Sequence, residues 1–125
     1  MSNPNPYQHL EQLDSQERYE YLVETALEQQ EIWILSDNKG FVLLNSEDGD
    51  CLPIWPHKEC AQQWVHGDWK ACEPQSIDLN AWQTRWVPGL TEDQVVVAVF
   101  PNRQEEAIVV NPSDIDDDLS NAMSF

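Results

Sequence analysis

The sequence predicts an α+β fold: a single domain with a mainly antiparallel sheet built from two hairpin units, helices packed on it, and the order αβββαβαββα. Three observations lead there. Strongly apolar runs are short enough to be strands (Ile32–Leu35, Phe41–Leu44 and Val95–Phe100) and are bounded by polar turns. Between and around them, apolar residues recur at spacings of three and four, as one face of a helix requires. A chain of 125 residues, 41% of them hydrophobic, is also long enough for one core and too apolar for a disordered acidic tail.

Residues 1–13 begin with two prolines and carry no helical period, so they form an N-terminal arm from which Tyr7, Leu10 and Leu13 can pack on a domain spanning 14–125. Asp14 or Ser15 caps a first helix. Tyr19, Leu22, Val23, Ala26 and Leu27 share its inner face, and it ends near Gln29. Glu31–Ser36 and Phe41–Ser46 flank the turn Asp37-Asn38-Lys39-Gly40, which predicts a hairpin. A second polar turn, Glu47-Asp48-Gly49-Asp50, leads to Cys51–Trp55, where Pro53 cannot donate to a ladder and so marks an edge strand or a strand end.

Pro56 suits the first turn of a second helix carrying Cys60, Ala61, Trp64 and Val65 inward, with Gly67 at its C-terminal cap. Trp69–Glu73 reads as a short strand. Asp78 then caps a third helix that turns Leu79, Trp82, Trp86 and Val87 inward and stops at Pro88-Gly89. Val95–Phe100 has the continuous apolar character of a central strand and pairs with Ala107–Val110 in a second hairpin. Asn111-Pro112-Ser113 opens a last helix in which Ile115, Leu119, Ala122 and Met123 share a face.

Several of these landmarks form a combined pattern: Trp33, Leu52-Pro53-Ile54-Trp55-Pro56 with Glu59 and Ala61, Trp69, Trp86-Val87-Pro88-Gly89-Leu90, Phe100-Pro101 and Val110-Asn111-Pro112. From about Tyr19 to Leu119 the chain resembles a bacterial family of small proteins known as domain of unknown function 2750 (DUF2750). The resemblance implies a bacterial cytosolic single domain and brings no activity, cofactor or site residue with it.

Charge is segregated along the chain. Residues 1–50 hold eleven carboxylates against Arg18 and Lys39, and residues 91–125 hold eight against Arg103, within a net charge of −17. The nearly neutral middle carries five of the six tryptophans, all three cysteines, His57 and His66. Such negative charge opposes direct binding to nucleic acid or to an anionic membrane and favours solubility or a basic partner. No run reaches the roughly 20 apolar residues of a membrane span, and the N-terminus lacks the basic start and apolar core of a secretory signal. Cytoplasmic is the simplest location, with three reduced, largely buried thiols.

The neutral middle supplies ligand types for zinc in His57, Cys60, His66 and Cys72, with Cys51 upstream, but at poor spacing: Cys60 and His66 would lie about 120° apart around a helix. No metal or other cofactor is expected. A thiolate at Cys72 or Cys60 with His66 or His57 as base, oriented by Asp68 or Glu59, lacks any accompanying nucleophile or phosphate-loop motif. The acidic turns at Glu47–Asp50 and Asp116–Asp118 do not match a calcium loop. Six tryptophans are more than a small core readily hides, so Trp55 and Trp69 are the candidates to line a groove or touch a partner.

The most specific surface feature lies on the first helix. Glu17, Glu20, Glu24, Glu28 and Glu31 recur at three and four residues, within about 80° of one another and opposite the apolar stripe. A solvated face of an acidic protein would look like this; so would a docking surface for a basic protein or a mimic of nucleic-acid phosphates. The leading expectation is a non-enzymatic interaction or regulatory domain whose acidic surface binds a basic protein, of inhibitor or immunity type. The alternative is a small-molecule binder or modest enzyme using the Trp/His/Cys-rich centre. Neither partner identity nor oligomeric state is legible in the sequence.

Overall fold

The computed structural model describes residues 10, 12–37, 40–46, 49–65, 71–101 and 106–123. Their order is α1 (Ser15–Gln29), β1 (Glu31–Asp37), β2 (Gly40–Phe41), β3 (Leu44–Ser46), β4 (Gly49–Ile54), α2 (Lys58–Gln62) and β5 (Glu73–Asp78). There follow α3 (Leu79–Ala81), a π-helical turn (Trp82–Trp86), α4 (Val87–Glu92), β6 (Val96–Val99), β7 (Ile108–Val110) and α5 (Pro112–Met123). The α+β class holds, and four of the five strand pairings among the described residues are antiparallel.

Two sheets form, ordered β2-β1-β5 and β3-β4-β6-β7. The expected strand Phe41–Ser46 is divided between them: Phe41 pairs with Ser36 of β1, the chain turns at Val42 and Leu43, and Leu44 pairs with Cys51 of β4. Gly40 and Gly49 supply the positive φ values, 132° and 114°, beside these two hairpin turns. The sheets meet where Trp33 and Trp55 exchange backbone hydrogen bonds of 2.9 and 2.8 Å.

β4 and β6 run parallel, with Ile54 opposite Val99, because everything from α2 to α4 forms the crossover between them. Pro53 therefore lies opposite Ala98 in an interior strand, one residue before its end, so the strand-end expectation holds and the edge-strand one does not. The reason is local. Backbone N–H groups alternate in direction along a strand, so position 53 points the way Trp55 does, away from β6, and β3 reaches only as far as Cys51.

Asp14 and Glu17 form a capping box on α1, and Gln30 closes the helix in the left-handed conformation at φ 60°. α2 is shorter than expected and leaves Trp64 in the following turn; Gly67 lies outside the described residues. The strand expected at Trp69–Glu73 starts instead at Glu73. Trp69 lies outside the described residues, and Pro74 is tolerated because β5 is an edge strand.

Pro88-Gly89 does not end the third helix. The helical path continues to Glu92 through the wider π turn, in which the Val87 N–H bonds to the Trp82 carbonyl. A proline has no N–H for the carbonyl four residues back and its ring crowds that oxygen; a widened turn just before it relieves the conflict.

α1 packs on α5, β1, β6 and β7, α2 packs on β1 and β5, and α4 packs on α5. The core combines Leu22, Ala26, Ile32, Ile34, Leu52, Ile54, Trp55, Trp82, Val97, Val99, Ile115 and Leu119. Leu10 is buried and Leu13 half-buried against it, as expected, whereas Tyr7 and the side chains of Ala122 and Met123 lie outside the described part. No described helix is long and apolar enough to cross a membrane.

Candidate functional site

α1 fixes the acidic face. Burying Arg18, Tyr19, Leu22, Val23, Thr25 and Ala26 leaves Glu20, Glu24 and Glu28 exposed in a row one helical turn apart. The five-residue ridge shortens at both ends. Glu17 is exposed but its carboxylate accepts the Asp14 N–H in the capping box, and Glu31 lies beyond the Gln30 cap as the half-buried first residue of β1. Glu59, exposed in the first turn of α2, acts with Glu28 and Glu31 on one buried histidine.

That histidine is His57, 7% exposed at the N-terminal cap of α2. Its Nε2 lies 2.7 Å from the Tyr21 hydroxyl and its Nδ1 3.3 Å from the Gln29 amide nitrogen. With that amide donating to Nδ1, the ring proton sits on Nε2 and is donated to the Tyr21 oxygen. Burial holds the histidine below its ordinary pKa of 6.5, against the opposing pull of Glu59, Glu28 and Glu31. Both ring nitrogens are engaged, so His57 is a satisfied core group and not a ligand waiting for a metal.

The other metal and thiolate candidates separate in the same way. Cys51, Cys60 and Cys72 are buried thiols. Burial pushes the Cys51 thiol up to about 11, and burial followed by Asp37 raises that of Cys72, which disfavours the thiolate a nucleophile needs. Among the described residues no three His, Cys, Asp or Glu side chains are grouped to hold a metal ion. His66 and Asp68 lie outside the described residues.

Trp55 is a core residue and not a groove or partner contact: it is 0% exposed, its ring lies 5.6 Å from that of Trp64, and its indole N–H donates to the Pro101 carbonyl. The aromatic surface is elsewhere. Phe41, 44% exposed, meets Trp86 edge to face at 5.0 Å, and Trp86 stacks on the fully buried Trp82 at 6.4 Å. They border an open groove of about 240 Å³ whose other lining residues are Arg85, Gly89, Leu90 and Asp93. The sequence placed Trp86 inward. It could not show that splitting the strand after Phe41 brings that ring against the helix.

Arg18 was also missed as a structural residue. It is 2% exposed and donates to the carbonyls of Phe100 (3.0 Å), Glu106 (2.8 Å) and Leu13 and to the Ser15 hydroxyl (3.0 Å). Its position four residues before Leu22 placed it on the inward face.

The family model described as "Protein of unknown function (DUF2750)" matches residues 19–119. No curated protein and no solved structure matches the chain.

Proposed function

This chain belongs to the DUF2750 family of proteins of unknown function, and from that premise and its own surface chemistry we propose a non-enzymatic interaction or regulatory domain that binds a basic protein partner through its acidic face. The observation carrying this reading is the exposed row Glu20, Glu24 and Glu28 on α1. Like charges at four-residue spacing cost a helix a few tenths of a kcal/mol per pair, and no lysine or arginine follows any of the three at that spacing. The helix gives up stability for a concentrated negative surface. Such a surface, on a chain of net charge −17, steers a positively charged partner and rejects anionic ones. An inhibitor or immunity-type role, in which the domain covers a basic functional surface of its partner, and a cytosolic setting both fit this chemistry.

The test is affinity capture with the native domain and with a variant carrying Glu20→Lys, Glu24→Lys and Glu28→Lys, after circular dichroism has established that both are folded. The native domain should retain a basic protein at low salt that the variant does not. Equal retention by the two would remove α1 as the binding surface.

A further inference from the structure

We propose that the groove between Phe41 and α4 is a second binding site, which takes an extended peptide segment with a large apolar side chain between an acidic and a basic residue. The proposal concerns a different surface from the acidic face and does not depend on it.

Gly89 is the first indication. It lies inside the helical path between Val87 and Glu92, where glycine is the poorest helix former after proline. A Cβ there would meet no atom of the described residues within 4 Å, and the backbone is not in the left-handed region that requires glycine. Neither packing nor conformation of the chain accounts for the missing side chain. What its absence leaves open is the groove.

The lining gives the chemistry of the occupant. Among the described residues Phe41 and Val109 are the large hydrophobic ones left exposed, and Phe41 sits on this groove with Trp86 and Leu90. Trp86 is held from one side by its stacking on Trp82 and from another by the Phe41 ring, so a rigid apolar floor exists before any ligand arrives. About 240 Å³ accommodates a large side chain and part of its backbone rather than an enclosed cofactor.

The rim adds direction. Arg85 and Asp93 are both exposed, both line the groove, and among the described residues neither side chain has a hydrogen bond or ion pair. The two charges are eight residues apart, about 12 Å along a helix, which an extended chain spans in about four residues. A carboxylate on the Arg85 side, an apolar side chain over Gly89 and a cationic side chain toward Asp93 satisfy each feature. A polyanion would meet the repulsion of the whole molecule, and a purely apolar ligand would leave both charges unused.

The probes are acetyl-Glu-Leu-Phe-Lys-amide, its reverse acetyl-Lys-Phe-Leu-Glu-amide, because the chain direction is open, and the uncharged acetyl-Gln-Leu-Phe-Gln-amide. They are titrated into the full ¹⁵N-labelled chain while the Trp86 indole N–H and the Gly89 and Leu90 amides are followed by NMR. One charged peptide should give saturable shifts at these groups in the millimolar range or below, and the uncharged peptide should bind at least about fivefold more weakly. Gly89→Leu should weaken binding about tenfold or more, and Arg85→Gln severalfold. Gly89→Ala should weaken it while leaving the thermal midpoint unchanged or a few degrees higher, which separates blockage from unfolding. No saturable shift with either charged peptide, equal binding of the uncharged one, or undiminished binding to Gly89→Ala and Gly89→Leu would overturn the proposal.

Discussion

At Arg18, two hydrogen bonds fasten the start of α1 to Phe100 and Glu106, on either side of residues 102–105, and two more go to Leu13 and Ser15. Phe100 itself takes φ 52°, an uncommon conformation for an aromatic residue, with its N–H bonded to the Ile54 carbonyl and its own carbonyl held by the guanidinium. Lysine cannot reproduce this fork. Arg18→Lys should cost about 2–4 kcal/mol in urea unfolding, because buried carbonyls lose their donors; a loss near zero would show that the contacts are incidental. At His57 the consequence is a pH dependence. Its folded pKa lies below the ordinary 6.5, so the unfolded chain takes up the proton first. The contribution of His57 is therefore full above about 6.5, falls as pH drops from there toward the folded value, and levels off once both states are protonated. Carboxylate repulsion changes over the same range but is common to a His57→Gln variant, so the difference between the two stability curves isolates the histidine. Curves that stay parallel through this window would contradict the assignment. The cysteines should resist a thiol reagent in the native state at pH 8 and react fully in guanidinium, since the raised values at Cys51 and Cys72 keep them as thiols. Rapid native labelling of Cys72 would contradict that. The inward position of Arg18 was legible from its spacing to Leu22, but its partners, more than eighty residues away in sequence, were not.

Helices were the most legible elements. α1 and α5 fall where capping residues and three-four spacing put them, because those signals are local. The helix over Pro88-Gly89 was misread for a physical reason: a proline normally breaks the hydrogen-bond ladder, and the π turn that accommodates it has no comparable signature in composition. The strands were legible in existence and less so in pairing. Phe41–Ser46 looked continuous because each half is strand-like, while the division between sheets is decided by which partner each half finds in three dimensions. On α1 the charge pattern itself can be tested. Glu24→Lys places a cation four residues from both Glu20 and Glu28, turning two repulsions into attractions, and should stabilise the domain by about 0.3–1 kcal/mol in chemical denaturation. Destabilisation by this change would mean that Glu24 holds the fold together and is not spent on a surface.

Across the whole molecule, the segregation of charge seen in the sequence has unequal causes. Part of the C-terminal excess is structural: Tyr19 donates its hydroxyl to Asp118, and the Asp114 carboxylate accepts the Asn111 N–H at the start of α5. Among the described residues Glu20, Glu24 and Glu28 accept no such hydrogen bond. The neutral middle supplies Trp55, Trp64 and Trp82 to the core and Trp86 to a groove, and its described thiols and histidine are dispersed among buried packing sites. Of the candidate sites, the acidic row was readable from helical periodicity alone. The pairing of Phe41 with Trp86 depends on tertiary placement, which no periodicity encodes. The proposed binding of a basic partner to α1 by charge is open to titration calorimetry of the captured partner against the native and triple-lysine domains, at about 0.05 M and about 0.5 M salt. Binding to the native domain should weaken at least about tenfold with salt, and the triple variant should not bind. A dissociation constant indifferent to both salt and charge reversal would contradict it.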